Sequence, residues 1–155
     1  IKLEKKSRIG QFINKESVTI TKEQYFKIIS KDIIFLRESK IELFNEFYFW
    51  LTALKLKPDV IVDYTREAYT SKISKIRITI DKHLKTGLNC TDIFNKSTPT
   101  VDVIEKPLFV LEIKYNSFLP DHIRKAVQIS SSQRYAISKF VICKKYTKYN
   151  NWEDN

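Results

Sequence analysis

The stretch PLFVLEIKYN, Pro107 to Asn116, combines the character of a buried strand with two opposite charges in its middle. Side chains alternate between the two faces of a strand, so Glu112 and Lys114 share one face. The other face carries Leu111, Ile113 and Tyr115. A strand of this kind predicts a sheet with its core on the aliphatic side and a charged surface on the other.

The same division recurs in other predicted strands. Residues 59–69 begin with β-branched residues and place Tyr64 and Arg66 on one face. Residues 74–84 alternate three isoleucines on one face with Arg77, Thr79 and Asp81 on the other. For any one strand, a solvated face or pairing across strands is the better explanation. If the strands share a curled sheet, however, the charges meet inside it, and such an interior must hold water and a charged ligand because unpaired buried charges are too costly.

The remaining elements are predicted from local signals. Thr21 with Gln24, and Ser39 with Glu42, have the spacing of capping boxes and predict helices after Thr21 and over 40–56. Weak alternation predicts a strand over 2–7, and β-branched residues predict another over 17–21, with a turn region over 8–16 between them. In the last third, the sequence predicts a helix over 120–130, a short helix or turn over 130–138, a final strand over 139–146 and a polar tail.

Bulk composition sets limits on class and partners. The 155 residues fit one domain, and adjacent strands joined by few residues favour antiparallel pairing in an α+β fold. Lys and Arg number 28 against 18 Asp and Glu, a formal charge of +10 that suggests a polyanionic partner, although compositional drift is an equal alternative. Two distant cysteines and no visible signal peptide predict a reduced, cytoplasmic protein. Because it lacks Met and Ile1 opens directly into a predicted strand, the chain is expected to be a fragment or to have lost its true start.

Five motifs together resemble a known family. They are LEKK…NKESVTIT, VDYTREAY, IRITIDKHL, VLEIKYNSFLPDHI and SKFVIC, in this order from Ile1 to about Lys145. The sequence resembles the VTC domain of polyphosphate polymerases, particularly its bacterial versions, within the triphosphate tunnel metalloenzymes or CYTH superfamily. The whole chain, 1–155, would then be a single tunnel domain, and it would represent the C-terminal part of a larger domain. The family's upstream Arg-x-Arg strand does not occur before LEKK, so the tunnel is expected to lack its N-terminal strands here.

The resemblance implies an antiparallel β-tunnel or barrel with helices packed outside. Family members use a divalent metal, Mn²⁺ or Mg²⁺, and transfer the γ-phosphate of ATP to a growing chain of inorganic polyphosphate. By motif, the catalytic and phosphate-binding residues would be Arg66, Arg77, Lys114 and Lys139, joined by Lys6 and Lys15, with Tyr64 lining the tunnel. Glu112 would bind the metal, with Glu4 as a weaker candidate.

Other functions stay open at this point. A triphosphatase of the same superfamily is second, because LEKK lacks the E-x-E-x-K form that such members prefer. A non-catalytic module for polyphosphate or inositol phosphates is a third reading. Nucleic-acid binding is disfavoured, since the aromatic residues mostly lie on apolar faces rather than on a basic stacking surface. A membrane-associated partner outside this chain is compatible with the sequence.

Overall fold

A computed structural model describes residues 1–10, 12–71, 75–88, 90–129, 132 and 136–150, with side chains to residue 147. The fold is α+β with antiparallel sheets. In the described ranges the strands are β1 (Lys2–Ile9), β2 (Phe12–Thr19), β3 (Val62–Ser71), β4 (Ile76–Gly87), β5 (Thr100–Asp102) and β6 (Val110–Lys114). The helices there are α1 (Lys22–Ile29), α2 (Ile34–Arg37), α3 (Glu42–Thr52), α4 (Asp121–Val127) and α5 (Lys139–Asn150). The chain divides into two compact units, Ile1–Lys57 and Pro58–Asn155.

The first unit opens with an antiparallel hairpin of β1 and β2. Its register pairs Lys2 with Thr19 at the open end and Ile9 with Phe12 at the turn. The predicted turn over 8–16 is therefore wrong, because most of those residues lie in the strands. Gly10 has a φ of +60°, which a residue without a Cβ adopts at no steric cost, so the chain reverses tightly.

Three helices complete the first unit. The capping box of α1 is confirmed: the Gln24 amide donates to Thr21 Oγ1 at 3.1 Å, and the Thr21 amide donates to Gln24 Oε1 at 2.9 Å. The second predicted box is wrong, because α3 has no side-chain cap and Ser39 Oγ instead accepts a bond from the Ile41 amide. Helix α3 ends at Thr52, four residues earlier than predicted. The Thr52 hydroxyl donates to the Tyr48 carbonyl oxygen at 2.9 Å.

The second unit is built on β4. Strand β3 pairs along one edge of β4, while β6 and β5 pair with successive parts of its other edge. The register of β3 and β4 shifts between Asp63 and Thr65, which gives β4 an extra residue, and His83 there has a φ of +53°. The bulge changes the phase of the alternation, so that Leu84 and Thr86 are buried beyond it.

The end of the second unit corrects the sequence prediction. Residues 139–146 form the start of helix α5 and not a strand. Ser138 Oγ accepts a bond from the Val141 amide at 3.4 Å, and the fully buried Cys143 packs on β4, its Sγ 3.6 Å from the Lys85 carbonyl oxygen. This segment is helical because it packs against the sheet and does not pair with it as a strand.

Other predictions for this region have mixed outcomes. Helix α4 starts at Asp121 directly after Pro120, as predicted, but ends at Val127. The short helix or turn expected over 130–138 and the polar tail lie largely outside the described residues. In the part of the chain that the structure describes, no helix has the length and apolarity needed to cross a bilayer. The described strands form a two-stranded and a four-stranded sheet, and their closure into a tunnel stays a prediction.

Candidate functional site

One face of the four-stranded sheet gathers most of the predicted site residues. Residues paired across strands point to the same side of a sheet. The register opposes Arg66 to Asp81 between β3 and β4, and it opposes both Thr79 to Glu112 and Arg77 to Lys114 between β4 and β6. We call this set the charged face: Arg66, Arg77, Thr79, Asp81, Glu112 and Lys114.

Asp81 is the most enclosed charge of this face. Its side chain is 1% exposed. Arg66 donates to it through Nε at 2.6 Å and through Nη2 at 2.7 Å, and Lys139 Nζ of α5 lies 2.7 Å from Oδ2. The Arg66 bonds, followed by Lys139, hold the pKa of the Asp81 carboxyl below its usual range against the opposing effect of burial. Two cations therefore share one carboxylate, which leaves local positive charge.

Tyr64 joins the two cations held by Asp81. The Arg66 guanidinium carbon lies 5.0 Å from the centre of the Tyr64 ring, and Lys139 Nζ lies 5.2 Å from it. Both contacts have the distance of a cation–π interaction, which fixes cations over an aromatic face. The structure thus brings together three predicted residues, although Lys139 comes from a helix and not from the predicted last strand.

Arg77 and Lys114 are like charges directly opposite each other in the sheet. Such a pair destabilises an antiparallel ladder. Lys114 Nζ lies 3.3 Å from Glu112 Oε1, whereas the side chain of Arg77 has no ion pair or hydrogen bond with any residue in the described ranges. An anion between the two side chains would relieve their repulsion.

Glu112 lies on the same face of β6 as Lys114 and directly opposite Thr79 of β4. Thr79 is 2% exposed, and its hydroxyl donates to Glu112 Oε2 at 3.5 Å. Among the described residues, no three His, Cys, Asp or Glu side chains cluster as a metal cage. A single carboxylate still fits Mg²⁺ or Mn²⁺, since Mg²⁺ in phosphate-transfer sites is bound through one or two carboxylates together with substrate phosphates and water.

The remaining predicted residues lie in the first unit. Lys6 and Lys15 are direct cross-strand partners, a second opposition of like charges. Lys15 Nζ lies 2.7 Å from Glu4 Oε1, and this contact with Lys15 is the main cause that lowers the pKa of Glu4. Glu4 is thus occupied by a lysine, and its role as a metal ligand stays a prediction.

The sequence predicts Asp81 on the same strand face as Arg77 but does not mark it as a site residue. The structure pairs it with Arg66 and Lys139 instead. The available signal was a carboxylate on the same face as Arg77, within RITID. Its partner depends on the register between β3 and β4, which the sequence does not specify.

Comparison with known proteins supports the resemblance found in the motifs. Searches of curated proteins and of solved structures gave no match. A family model described as the VTC domain matches residues 1–148, a range that includes the charged face, the Lys6–Lys15 pair and the start of α5. The chain therefore belongs to the VTC domain family.

Proposed function

We propose that this VTC domain binds ATP and inorganic polyphosphate and transfers the γ-phosphate of ATP to the growing polyphosphate chain. The observation that carries the proposal is the opposition of like-charged side chains in both sheets, Arg77 to Lys114 and Lys6 to Lys15. Opposed cations cost stability in the absence of a ligand, and a polyanion is the ligand that would offset the cost.

The chemistry matches what these side chains can supply. Phosphoryl transfer needs little covalent help from a protein, and depends on in-line positioning and on neutralising phosphate charge. Arg66 and Lys139 would hold phosphate oxygens at one part of the charged face, and Arg77 and Lys114 at another. Lys6 and Lys15 would bind the same kind of ligand, and Tyr64 would keep two of these cations in place.

A divalent cation, Mn²⁺ or Mg²⁺, would be held by Glu112 and would neutralise phosphate charge when bound. Thr79 would orient that carboxylate through its hydroxyl. We further propose that the strands curl into a tunnel with helices outside, which would exclude water and favour transfer to phosphate over hydrolysis.

The test is turnover of ATP with Mn²⁺, with long-chain polyphosphate as the measured product. Glu112→Gln is expected to lower polymer formation by about 10²-fold or more, the effect of removing one electrostatic stabiliser of a transition state. Polyphosphate binding should be retained in this variant. The control is Glu67→Gln, which alters a carboxylate on the opposite face of the same sheet. Release of free phosphate without polymer would instead support a triphosphatase.

A non-catalytic polyphosphate-binding module is the second candidate. It is favoured by the contact between Glu112 and Lys114, which, within the described residues, leaves the charged face without an unpaired carboxylate. Tight polyphosphate binding with no turnover in the presence of Mn²⁺ or Mg²⁺ would establish that function and contradict the polymerase.

A further inference from the structure

We propose that Asp81 is a positioning residue, which holds Arg66 and Lys139 in fixed places and stays bound to them when phosphate binds. The inference rests on the proposed phosphate-binding function of the charged face. It differs from a neutralising role, in which the carboxylate would be displaced by the anion.

The geometry of Arg66 supports a fixed arrangement. A guanidinium has five N–H groups in one plane. Two of them, on Nε and Nη2, donate to the two oxygens of Asp81. The other three have no protein acceptor among the described residues, and the Arg66 side chain is 32% exposed. One edge of the Arg66 guanidinium is therefore held by protein, while its remaining N–H groups can donate to two oxygens of a phosphate.

Lys139 supports the same conclusion from another element. It lies at the start of α5, its side chain is 20% exposed, and its Nζ contacts the Asp81 oxygen that also accepts from Arg66 Nη2. A long, flexible lysine side chain loses rotamer entropy when it is fixed in one place. Here that loss is taken in folding, before any ligand arrives, which favours subsequent binding.

Burial argues that Asp81 is not displaced. Its side chain is 1% exposed, and two cations contact it, Arg66 from β3 and Lys139 from α5. Glu112 of β6 is the other carboxylate of the charged face and contacts Thr79 and Lys114 rather than these two cations. A buried carboxylate stripped of both cations would be an uncompensated charge, so an incoming phosphate is expected to add to the cluster and not to replace Asp81.

The positioning role and the neutralising role predict opposite changes in anion affinity for Asp81→Asn. The substitution removes a negative charge from the charged face, so simple electrostatics predicts tighter binding of an anion. If Asp81 positions the cations, binding weakens in spite of the added positive charge. Glu67→Gln is the matched control, since it removes the same charge from the other face of β3, where Glu67 contacts Lys82 at 2.6 Å.

The experiment is calorimetric titration of the full chain with inorganic tripolyphosphate at fixed ionic strength. We expect Asp81→Asn to weaken binding about tenfold, the scale of one lost charge-assisted interaction, and Glu67→Gln to leave it unchanged or slightly tighter. Unchanged or tighter binding by Asp81→Asn would overturn the positioning role alone. Failure of the unsubstituted chain to bind tripolyphosphate would overturn the proposed function and the inference with it.

A second measurement does not require the variant to fold. The Arg66 Nε–H resonance of the unsubstituted chain, assigned by its loss in Arg66→Lys, reports whether its bond to Asp81 persists. We expect slow solvent exchange of this proton both without ligand and at saturating tripolyphosphate. A through-hydrogen-bond coupling between this nitrogen and a ³¹P nucleus of the ligand, or fast exchange in the saturated protein, would show that phosphate displaces Asp81, and would overturn the inference while leaving the proposed function intact.

Discussion

At the residue scale, the two faces of the sheet formed by β3, β4 and β6 differ in how their charged residues are paired. On the face opposite the charged face, Glu67 and Lys82 form a complementary contact at 2.6 Å. The charged face also contains complementary contacts, but there Arg77 directly opposes Lys114, an arrangement that costs roughly 0.2–1 kcal/mol. Residues that lower stability where a neutral side chain would fit are typical of functional sites. The Arg77–Lys114 opposition is therefore explained better by the proposed phosphate binding than by a requirement of folding.

The first prediction separates these two requirements at Arg77. Arg77→Gln should leave the free energy of unfolding in urea unchanged or raise it by up to about 1 kcal/mol, because a like-charge contact disappears. Tripolyphosphate affinity should fall about tenfold, since one charge-assisted contact is lost.

Its control is Lys82→Gln, on the opposite face of the sheet. That variant should lower stability slightly, because an exposed ion pair is lost, and leave tripolyphosphate affinity unchanged. A clear loss of stability in Arg77→Gln without any loss of affinity would show that Arg77 serves the fold and not the ligand.

At the element scale, the sequence predicted three strands of the four-stranded sheet, β3, β4 and β6, but neither strand β5 nor helix α5. The apolar run Phe140 to Cys143 has the length of a buried strand, and periodicity alone cannot distinguish such a run from a buried helix. In the structure the partly or fully buried positions include 139, 142, 143 and 146, a helical spacing. The helical pattern was missed because position 139 is a lysine, and its buried partner Asp81 lies far away in the sequence.

The two predicted capping boxes also differ in outcome. The Thr21 box formed as predicted because all its partners lie within one turn. The Ser39 motif located a helix correctly, yet Ile41 occupies the capping position of α3 and Ser39 lies two residues before it. The motif therefore placed the helix but not its first hydrogen bonds.

The second prediction tests the helical assignment of α5 by the sign of a stability change. Val141 is 45% exposed in α5. Val141→Ala should raise the free energy of unfolding by up to about 0.7 kcal/mol, because alanine is the better helix former. The matched variant Thr65→Ala, at an exposed position of β3, should lower it, because β-branched residues favour strands. Destabilisation by Val141→Ala in urea unfolding would contradict the helix and restore the predicted strand.

At the scale of the whole molecule, the net charge of +10 predicts attraction to any polyanion but no particular site. The motifs predicted the family, which the family model confirms, because a family is recognised by types and spacings of residues; the roles that the motifs give to particular cations stay predictions. The structure adds which cations oppose one another, a property of register. Register depends on contacts between distant segments, so neither the Arg77–Lys114 pair nor the Lys6–Lys15 pair was predictable as a pair.

The last prediction asks whether long-chain polyphosphate responds to total charge or to these oppositions. Lys6→Gln and Lys125→Gln each remove one positive charge, the first from the Lys6–Lys15 pair and the second from an exposed position of α4. If net charge governs binding, both variants weaken it equally. Opposed lysines concentrate positive potential where two strands meet, and a bound phosphate relieves their repulsion as well. Lys6→Gln should therefore weaken binding about tenfold more than Lys125→Gln, and should reduce the fall of affinity with rising NaCl by the larger amount. Equal losses of affinity and equal salt slopes would mean that polyphosphate is held by diffuse charge, and that the cross-strand oppositions do not form its site.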